Sequence, residues 1–118
     1  MTKTENYIRI RGYVGKDPEY RLTSKGNQIA KLVLGTEDII FNEVKKQWHN
    51  VVVTGQDLVQ KVKSEVLRGS RLVIVGILYY HKSNIGSHEK FITDIVVDDS
   101  GTIEIEVESS HVVIPYSD

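Results

Sequence analysis

The chain has no cysteine, one tryptophan, one methionine and two prolines among its 118 residues. The lack of cysteine excludes a disulfide framework, a zinc site with thiolate ligands and a cysteine nucleophile. Its apolar runs are only a few residues long, whereas a membrane helix needs about 20. Residues 1–6 lack both the apolar core of a secretory signal and the Arg-rich pattern of a transit peptide. We therefore expect one small globular domain with no membrane segment.

Charge is unevenly distributed, although the formal net charge is only −1. All 15 Lys and Arg residues lie within residues 1–90, with nine of the 16 Asp and Glu residues. Residues 91–118 hold the other seven acidic residues and no Lys or Arg. Two interpretations stay open: an acidic final strand that only aids solubility, or a basic binding surface kept apart from an acidic terminus.

Alternation of apolar and polar residues predicts mainly β-structure. Ile8 and Ile10 alternate with polar neighbours in a strand over residues 6–15, and Ile103 and Ile105 alternate with glutamates over residues 102–108. Further strands are predicted over residues 20–23, 29–36, 48–54, 71–80 and 91–97. Residues 37–47 are expected to form a long hairpin tip, and residues 81–90 a polar loop.

One helix is predicted among these strands, from Asp57 to Leu67. Asp57 suits an N-cap, apolar residues recur at the four-residue spacing of Leu58 and Val62, and Gly69 follows the end. Gly76, inside the next strand, indicates a bulge or sharp bend. This order predicts an all-β fold with one helix, namely a five-stranded antiparallel OB-fold barrel with an extended β-hairpin. A β-sandwich would fit the strand count nearly as well.

Signals for catalysis are weak. The histidines show no regular metal-ligand spacing, and the chain has neither a nucleophile elbow nor a phosphate-binding loop. The acidic pairs Glu37-Asp38 and Asp98-Asp99 lie beside or in predicted turns, where acids are common. We therefore expect no catalytic residue, no metal and no cofactor.

Short motifs follow one another in a distinctive order along most of the chain. They are Asn6, Gly12 and Gly15-Lys16-Asp17-Pro18-Glu19-Tyr20-Arg21, then Leu34-Gly35-Thr36, Trp48-His49 before residues 51–55, Leu67-Arg68-Gly69-Ser70 and Gly76. In these motifs, residues 6–99 resemble the single-stranded DNA-binding proteins of bacteria and mitochondria. The resemblance implies an OB-fold subunit, usually tetrameric, that binds single-stranded DNA in replication, recombination or repair. It also implies a location in the bacterial cytoplasm and nucleoid or in the mitochondrial matrix.

The resemblance predicts which aromatic side chains stack with bases. Trp48 falls on a stacking position of the family, although a solitary tryptophan is often a core residue. Phe41 lies near a second such position in the hairpin tip. Two further positions, at Thr54 and Ser83, carry no aromatic ring.

Aromatic residues near Ser83 are expected to supply part of the missing surface. Tyr79 and Tyr80 precede it, and because adjacent strand residues face opposite ways, only one of them can face the DNA groove. Phe91 matches an aromatic position on the next strand. The basic residues predicted to contact phosphates are Arg21, Arg68 and Lys82, together with Lys45 and Lys46 beside Trp48.

Other residues are predicted at contacts between subunits. His49 falls near the family's subunit interface, with a buried neutral histidine as the alternative. Tyr7, Arg9 and Arg11 share one face of the first strand, and the arginines either bind DNA or pair across an interface. A homotetramer is expected, with a dimer as the alternative.

The C-terminus differs from that of bacterial members, whose long tail ends in acidic residues and an Ile-Pro-Phe tip that recruits replication and repair proteins. Here residues 1–108 are predicted to form the domain and residues 109–118 a short tail, in which Ile114-Pro115-Tyr116 resembles that tip only faintly. The alternatives are an accessory protein similar to the dimeric primosomal replication protein N, and an OB module for protein contacts.

Overall fold

The structure, a computed structural model, describes residues 3–107. The predicted tail over residues 109–118 lies outside this range, so the domain boundary stays a prediction. The elements are β1 (Ile8–Val14), β2 (Glu19–Leu22), β3 (Gln28–Ile40), β4 (Glu43–Val53), α1 (Gln56–Glu65), β5 (Arg71–Ile85), β6 (His88–Val97) and β7 (Thr102–Glu106).

Five strands form a ring in the order β1–β3–β4–β6–β5, and β5 pairs back to β1. β2 pairs with β3 and β7 with β5. In chain order the helix lies between β4 and β5, the third and fourth ring strands along the sequence, as predicted for an OB-fold, and the sandwich alternative is wrong. The prediction of a wholly antiparallel ring is also wrong, because β4 and β6 are parallel. The helix α1 carries the chain from the end of β4 to the start of β5. The β5–β6 hairpin then reverses the chain, so that β6 runs in the same direction as β4.

The core fills the inside of the ring with alternate residues of its strands. Leu32 and Leu34 of β3 meet Val51 and Val53 of β4 there, each nearly inaccessible to solvent. Val59, Val62 and Val66 join the same cluster from α1 and its C-terminal end. Full burial of one such side chain contributes roughly 1.5–3 kcal/mol to the free energy of folding. The apolar residues therefore determine which side of each strand faces the core and which faces outward.

The helix begins one residue earlier than predicted and ends at Glu65. Asp57 is not its N-cap: Gly55 takes that position, and no side chain caps the helix there. Asp57 lies in the first turn, where its charge complements the positive end of the helix dipole. The predicted end at Leu67 and stop at Gly69 are wrong: the C-cap is Val66, in an extended conformation, and Gly69, with a φ of 91°, lies in the next turn, where Ser70 N–H donates to Leu67 O.

Two hairpins extend beyond the ring. The first arm, residues 36–47 of β3 and β4, is paired only within itself, and so is the second arm, residues 80–93 of β5 and β6. Both arms continue the N-terminal ends of the parallel strands β4 and β6, which are in register at Asn50 and Asp94. They therefore project from the same end of the ring.

These arms correct two predictions: a hairpin tip over residues 37–47 and a loop over residues 81–90. Cross-strand pairs continue to Ile40 and Glu43 in the first arm and to Ile85 and His88 in the second, so each turn has only two residues. In the first turn Phe41 and its neighbour have φ of 53° and 64°, the left-handed pair that fits a twisted two-residue hairpin. A phenylalanine is an unusual residue there, so the turn could not be recognised from its residue types.

Candidate nucleic-acid interface

Trp48 lies at the base of the first arm, on the outer face of β4. It pairs with Gly35, and its ring lies against Gly35 and Gly15: a Cβ on either glycine would come within 2.6 Å and 2.4 Å of the ring, respectively. The side chain is 49% exposed. The indole thus lies on backbone with much of its surface open, and the core alternative for this residue is wrong.

Tyr13 and Lys46 complete a cluster around this indole. The Tyr13 ring meets Trp48 edge to face, with centroids 5.8 Å apart. Lys46 Nζ lies 5.2 Å from the Tyr13 centroid and 5.3 Å from the Trp48 centroid. Hydrogen bonding to Tyr13 raises the pKa of Lys46, so its positive charge is maintained beside the rings. The sequence prediction missed Tyr13, although its alternation with Arg11 places it on the outer face of β1.

The outer face continues from Trp48 across the sheet. Asn50 is two residues along β4, Asp94 is its partner on β6, and Tyr79 is the partner of Asp94 on β5. Paired residues project to the same side of a sheet, so these side chains share one surface, which we call the Trp48 face. A shallow cleft follows it, lined by residues that include Lys16, Lys31, Val33, Asn50 and Asp94.

Tyr79 is held in place by His81 and Asp94. Its ring stacks on the His81 imidazole, with centroids 4.9 Å apart and an interplanar angle of 18°. His81 Nε2 lies 2.7 Å from Asp94 Oδ2, and both side chains are partly buried. The base of the second arm thus presents an aromatic surface, held by the His81–Asp94 contact, beside the cleft. Tyr79, not Tyr80, is the tyrosine on the Trp48 face.

Tyr80, Lys82 and Phe91 lie together on the opposite face of the second arm. Lys82 pairs with Phe91 across the strands, and its ammonium lies 5.2 Å from the ring centroid. Tyr80 and Phe91 are largely exposed. The predicted aromatic residues are thus divided between two faces.

The first arm divides its two lysines in the same way. Lys46 points to the side of Trp48, whereas Lys45 lies on the other face and pairs with Glu43 at 2.7 Å. The prediction that both lysines lie beside Trp48 is therefore wrong for Lys45, because adjacent strand residues face opposite ways. At the tip, Phe41 is 91% exposed.

Arg21 and Arg68 lie apart from the aromatic residues. Arg21 is exposed on β2, and Arg68 follows α1 in a segment whose Arg68 backbone N–H donates to Asp17 Oδ1 at 2.9 Å. Within residues 3–107, the cations that contact aromatic rings are Lys46, Lys63 and Lys82. The structure brings neither arginine into a ring cluster.

Comparison with known proteins agrees with this geometry. Residues 5–105 match the model of the single-strand binding protein family. The chain belongs to this family. A single-stranded DNA-binding protein of Rickettsia felis is 36% identical over 118 residues, covering 94% of this chain and 78% of the relative. One from Rickettsia typhi is 38% identical over 104 residues, covering 82% and 68%.

A solved structure of the family is also similar. The Plasmodium falciparum protein in complex with single-stranded DNA has a TM-score of 0.83 and 28% identity, covering 91% of this chain and 99% of that one. The family and OB-fold predicted from the motifs are confirmed.

Two of the four residues predicted at subunit contacts, His49 and Arg11, make bonds within this family member's own subunit. His49 lies 2.9 Å from Thr36 Oγ1, which donates to Asp38 Oδ2 at 2.7 Å. Hydrogen bonds from Thr36 and Gln47 lower the pKa of Asp38. On β1, Arg11 pairs with Glu106 at 3.1 Å, while Tyr7 is exposed at the start of the strand.

No helix within residues 3–107 is long and apolar enough to cross a membrane. No group of three or more His, Asp or Glu side chains in that range is arranged to hold a metal ion.

Proposed function

We propose that this chain binds single-stranded DNA with little dependence on sequence, stacking bases on the Trp48 face and catalysing no reaction. The observation that carries the proposal is the half-open indole on Gly15 and Gly35, with the Lys46 ammonium beside it. A base stacked on such a ring contributes about 1–3 kcal/mol, whatever its identity. The family's role supports a function in DNA replication, recombination or repair.

The backbone of the strand would follow the cations along this face. Lys46 stands next to Trp48, and Lys16 and Lys31 line the adjoining cleft. Phosphates placed beside them release counterions, so binding weakens as the salt concentration rises. Lys82 and Phe91 on the second arm would extend the path onto its other face.

Anisotropy of a labelled oligo-dT, measured at two salt concentrations, tests this function. We expect tight binding at low salt, a marked loss at high salt, and much weaker binding of a duplex of equal length, whose paired bases cannot stack on the indole. Equal affinity for single and double strands, or no binding at low salt, would contradict the proposal. In the second case, capture of a protein partner would favour the OB module for protein contacts.

We also propose that the subunit assembles with copies of itself, as a tetramer or a dimer. The first part of β1, Ile8 to Gly12, pairs only with β5 within the described range, so its other edge is open. An open strand edge is a ready surface for pairing with another chain. Arg9 lies on this strand and, unlike Arg11, has no ion-pair partner within residues 3–107.

A further inference from the structure

Asp94 places a negative charge in the cleft proposed to hold DNA. It lines this cleft together with Lys16, Lys31 and Glu19. Its carboxylate repels the phosphates of a DNA strand, and because the side chain is only 15% exposed, this repulsion is screened less than at an open surface. A group that offsets the charge of Asp94 therefore strengthens DNA binding in the cleft.

The group in contact with this carboxylate is a histidine and not a lysine. His81 Nε2 lies 2.7 Å from Asp94 Oδ2, and since a carboxylate only accepts, Nε2 carries a proton and donates it. Of the lysines in the cleft, Lys16 pairs with Glu19 at 3.3 Å, and Lys31 forms no ion pair within residues 3–107. Neither lysine therefore offsets Asp94 by direct contact.

Side chains from three strands surround the His81 ring. On its own strand, β5, Tyr79 stacks against it with centroids 4.9 Å apart. On β6, the charged residues on the same face are Asp94 and the exposed Lys90. On β4, the partner of Asp94 is the uncharged Asn50. Asp94 is thus the charged group in direct contact with the imidazole.

Protonation of His81 changes the charge of this contact without breaking it. The neutral ring already donates from Nε2, so the added proton goes to Nδ1, which has no hydrogen-bond partner within residues 3–107. The contact then becomes an ion pair with no net charge instead of a single negative one. The ring also keeps its place against Tyr79, because the face of an aromatic ring attracts a cation.

The same histidine positions an aromatic ring along the expected course of the DNA. Tyr79 stacks on His81 with one face of its ring, yet 52% of the residue is exposed. Tyr79, Asp94 and Asn50 form one row across the sheet, and Trp48 lies two residues from Asn50 on the same face. Strand spacing puts Tyr79 roughly 12 Å from Trp48. A DNA strand that leaves Trp48 along this row therefore passes Asp94 before it reaches Tyr79.

We propose that His81 is a positioning residue for DNA: it holds the Tyr79 ring beside the cleft and, when protonated, offsets the charge of Asp94. This inference rests on the proposed function. Histidine side chains change charge between about pH 5 and pH 8, and the protonated form is the one that favours the polyanion. Affinity for single-stranded DNA therefore rises as the pH falls through this range.

The test is the affinity for labelled oligo-dT at about pH 8 and about pH 6, at one low salt concentration. We expect the unmodified protein to bind about threefold more tightly at the lower pH, the effect of one charge near the phosphates. His81→Gln keeps a donor for Asp94 but takes up no proton, so its affinity should not change with pH. His81→Arg, with a permanent charge, should bind at both pH values as tightly as the unmodified protein does at the lower one.

The matched control is His88→Gln, which removes an exposed histidine at the start of β6 and should keep the full pH dependence. Calorimetry in two buffers of different ionisation enthalpy adds a second readout, because the unmodified protein should take up more protons on binding oligo-dT than His81→Gln does.

The inference is overturned if the affinity of the unmodified protein does not change with pH, or if His81→Gln keeps the change. Absence of binding at both pH values would instead overturn the proposed function. Melting curves show whether each variant is folded. If His81→Gln is not, His81→Arg decides the outcome, since a pH dependence equal to that of the unmodified protein would exclude His81 as its source.

Discussion

At the scale of single residues, the site depends on how Trp48 is supported. A tryptophan in a strand can bury its ring in the core or lie on the outer surface. Side chains alternate between the two faces of β4, and because Val51 and Val53 occupy the interior, Trp48 lies on the outer surface. Gly35 and Gly15 leave room for the indole to lie flat, since a Cβ on either would collide with the ring. The Leu34-Gly35-Thr36 and Gly15 motifs are thus part of the same structure as Trp48.

Lys46 and Lys45 are suited to a comparison of variants, because they are adjacent but face opposite sides of the first arm. We expect Lys46→Gln to weaken oligo-dT binding and to reduce the slope of log affinity against log salt by about 0.7, the effect of one lost phosphate contact on a single strand. Lys45→Gln should change both quantities less, because Lys45 faces the other side of the arm and pairs with Glu43. Salt titrations of both variants measure this, and equal effects would show that DNA does not distinguish the two faces.

Sequence reasoning located most of these residues but not their faces. Trp48 and Lys46 followed from the motifs, whereas Asn50, Asp94 and His81 came together only once the β4–β6 and β5–β6 registers were known. A motif specifies a position along a strand. Only the pairing of strands distant in sequence specifies which side chains become neighbours.

At the scale of elements, the sequence predicted one extended hairpin but neither how far its strands stay paired nor the second arm. Some cross-strand pairs of the arms are apolar, such as Ile39–Val44, and others are polar, such as Ser83–Lys90. No core lies beneath an arm, so neither face needs to be consistently apolar and the period of two is lost. The parts of the strands that cover the core were predicted, whereas β3, β4, β5 and β6 each continue three to five residues beyond the predicted bounds into the arms.

The turn of the first arm involves a trade-off at Phe41 between protein stability and DNA binding. Phe41 has a φ of 53°, a left-handed conformation that costs most side chains about 1–2 kcal/mol and that asparagine tolerates better. We expect Phe41→Asn to raise stability by about 1 kcal/mol and to weaken oligo-dT binding roughly fivefold, because an exposed ring available for stacking is lost. Urea denaturation and anisotropy measure the two effects.

The control for this turn is Asn42→Gly, which relaxes the neighbouring position at φ 64° and keeps the ring. It should leave binding unchanged. If Phe41→Asn binds as tightly as the unmodified protein, the arm tip takes no part in binding. If it is less stable, the turn carries no strain at Phe41.

At the scale of the whole molecule, the placement of charge decides where DNA could bind. A chain with a formal net charge of −1 can bind a polyanion only if its cations are concentrated where the DNA runs. On the Trp48 face, Lys46 stands beside the indole and Lys16 and Lys31 line the cleft, where Glu19, 3.3 Å from Lys16, and Asp94 offset part of their charge. Assembly would place several such faces on one particle, so that a single strand could contact more than one.

Sedimentation at several protein concentrations tests the assembly. We expect a tetramer or a dimer for the unmodified protein, and dissociation toward monomer in Arg9→Glu, because the reversed charge lies on the strand with the open edge. Lys25→Glu, a charge reversal in the β2–β3 turn, is the control and should leave the assembly intact. A monomer at all concentrations, or an Arg9→Glu protein that assembles normally, would argue against β1 as the contact.

The most direct test of the central claim is the emission of Trp48 during a titration with oligo-dT. Because this is the only tryptophan, its fluorescence reports on the Trp48 face alone. The account predicts strong quenching that saturates at the same oligonucleotide concentration as the anisotropy signal. Binding detected by anisotropy while the emission stays unchanged would show that the DNA lies elsewhere on the protein.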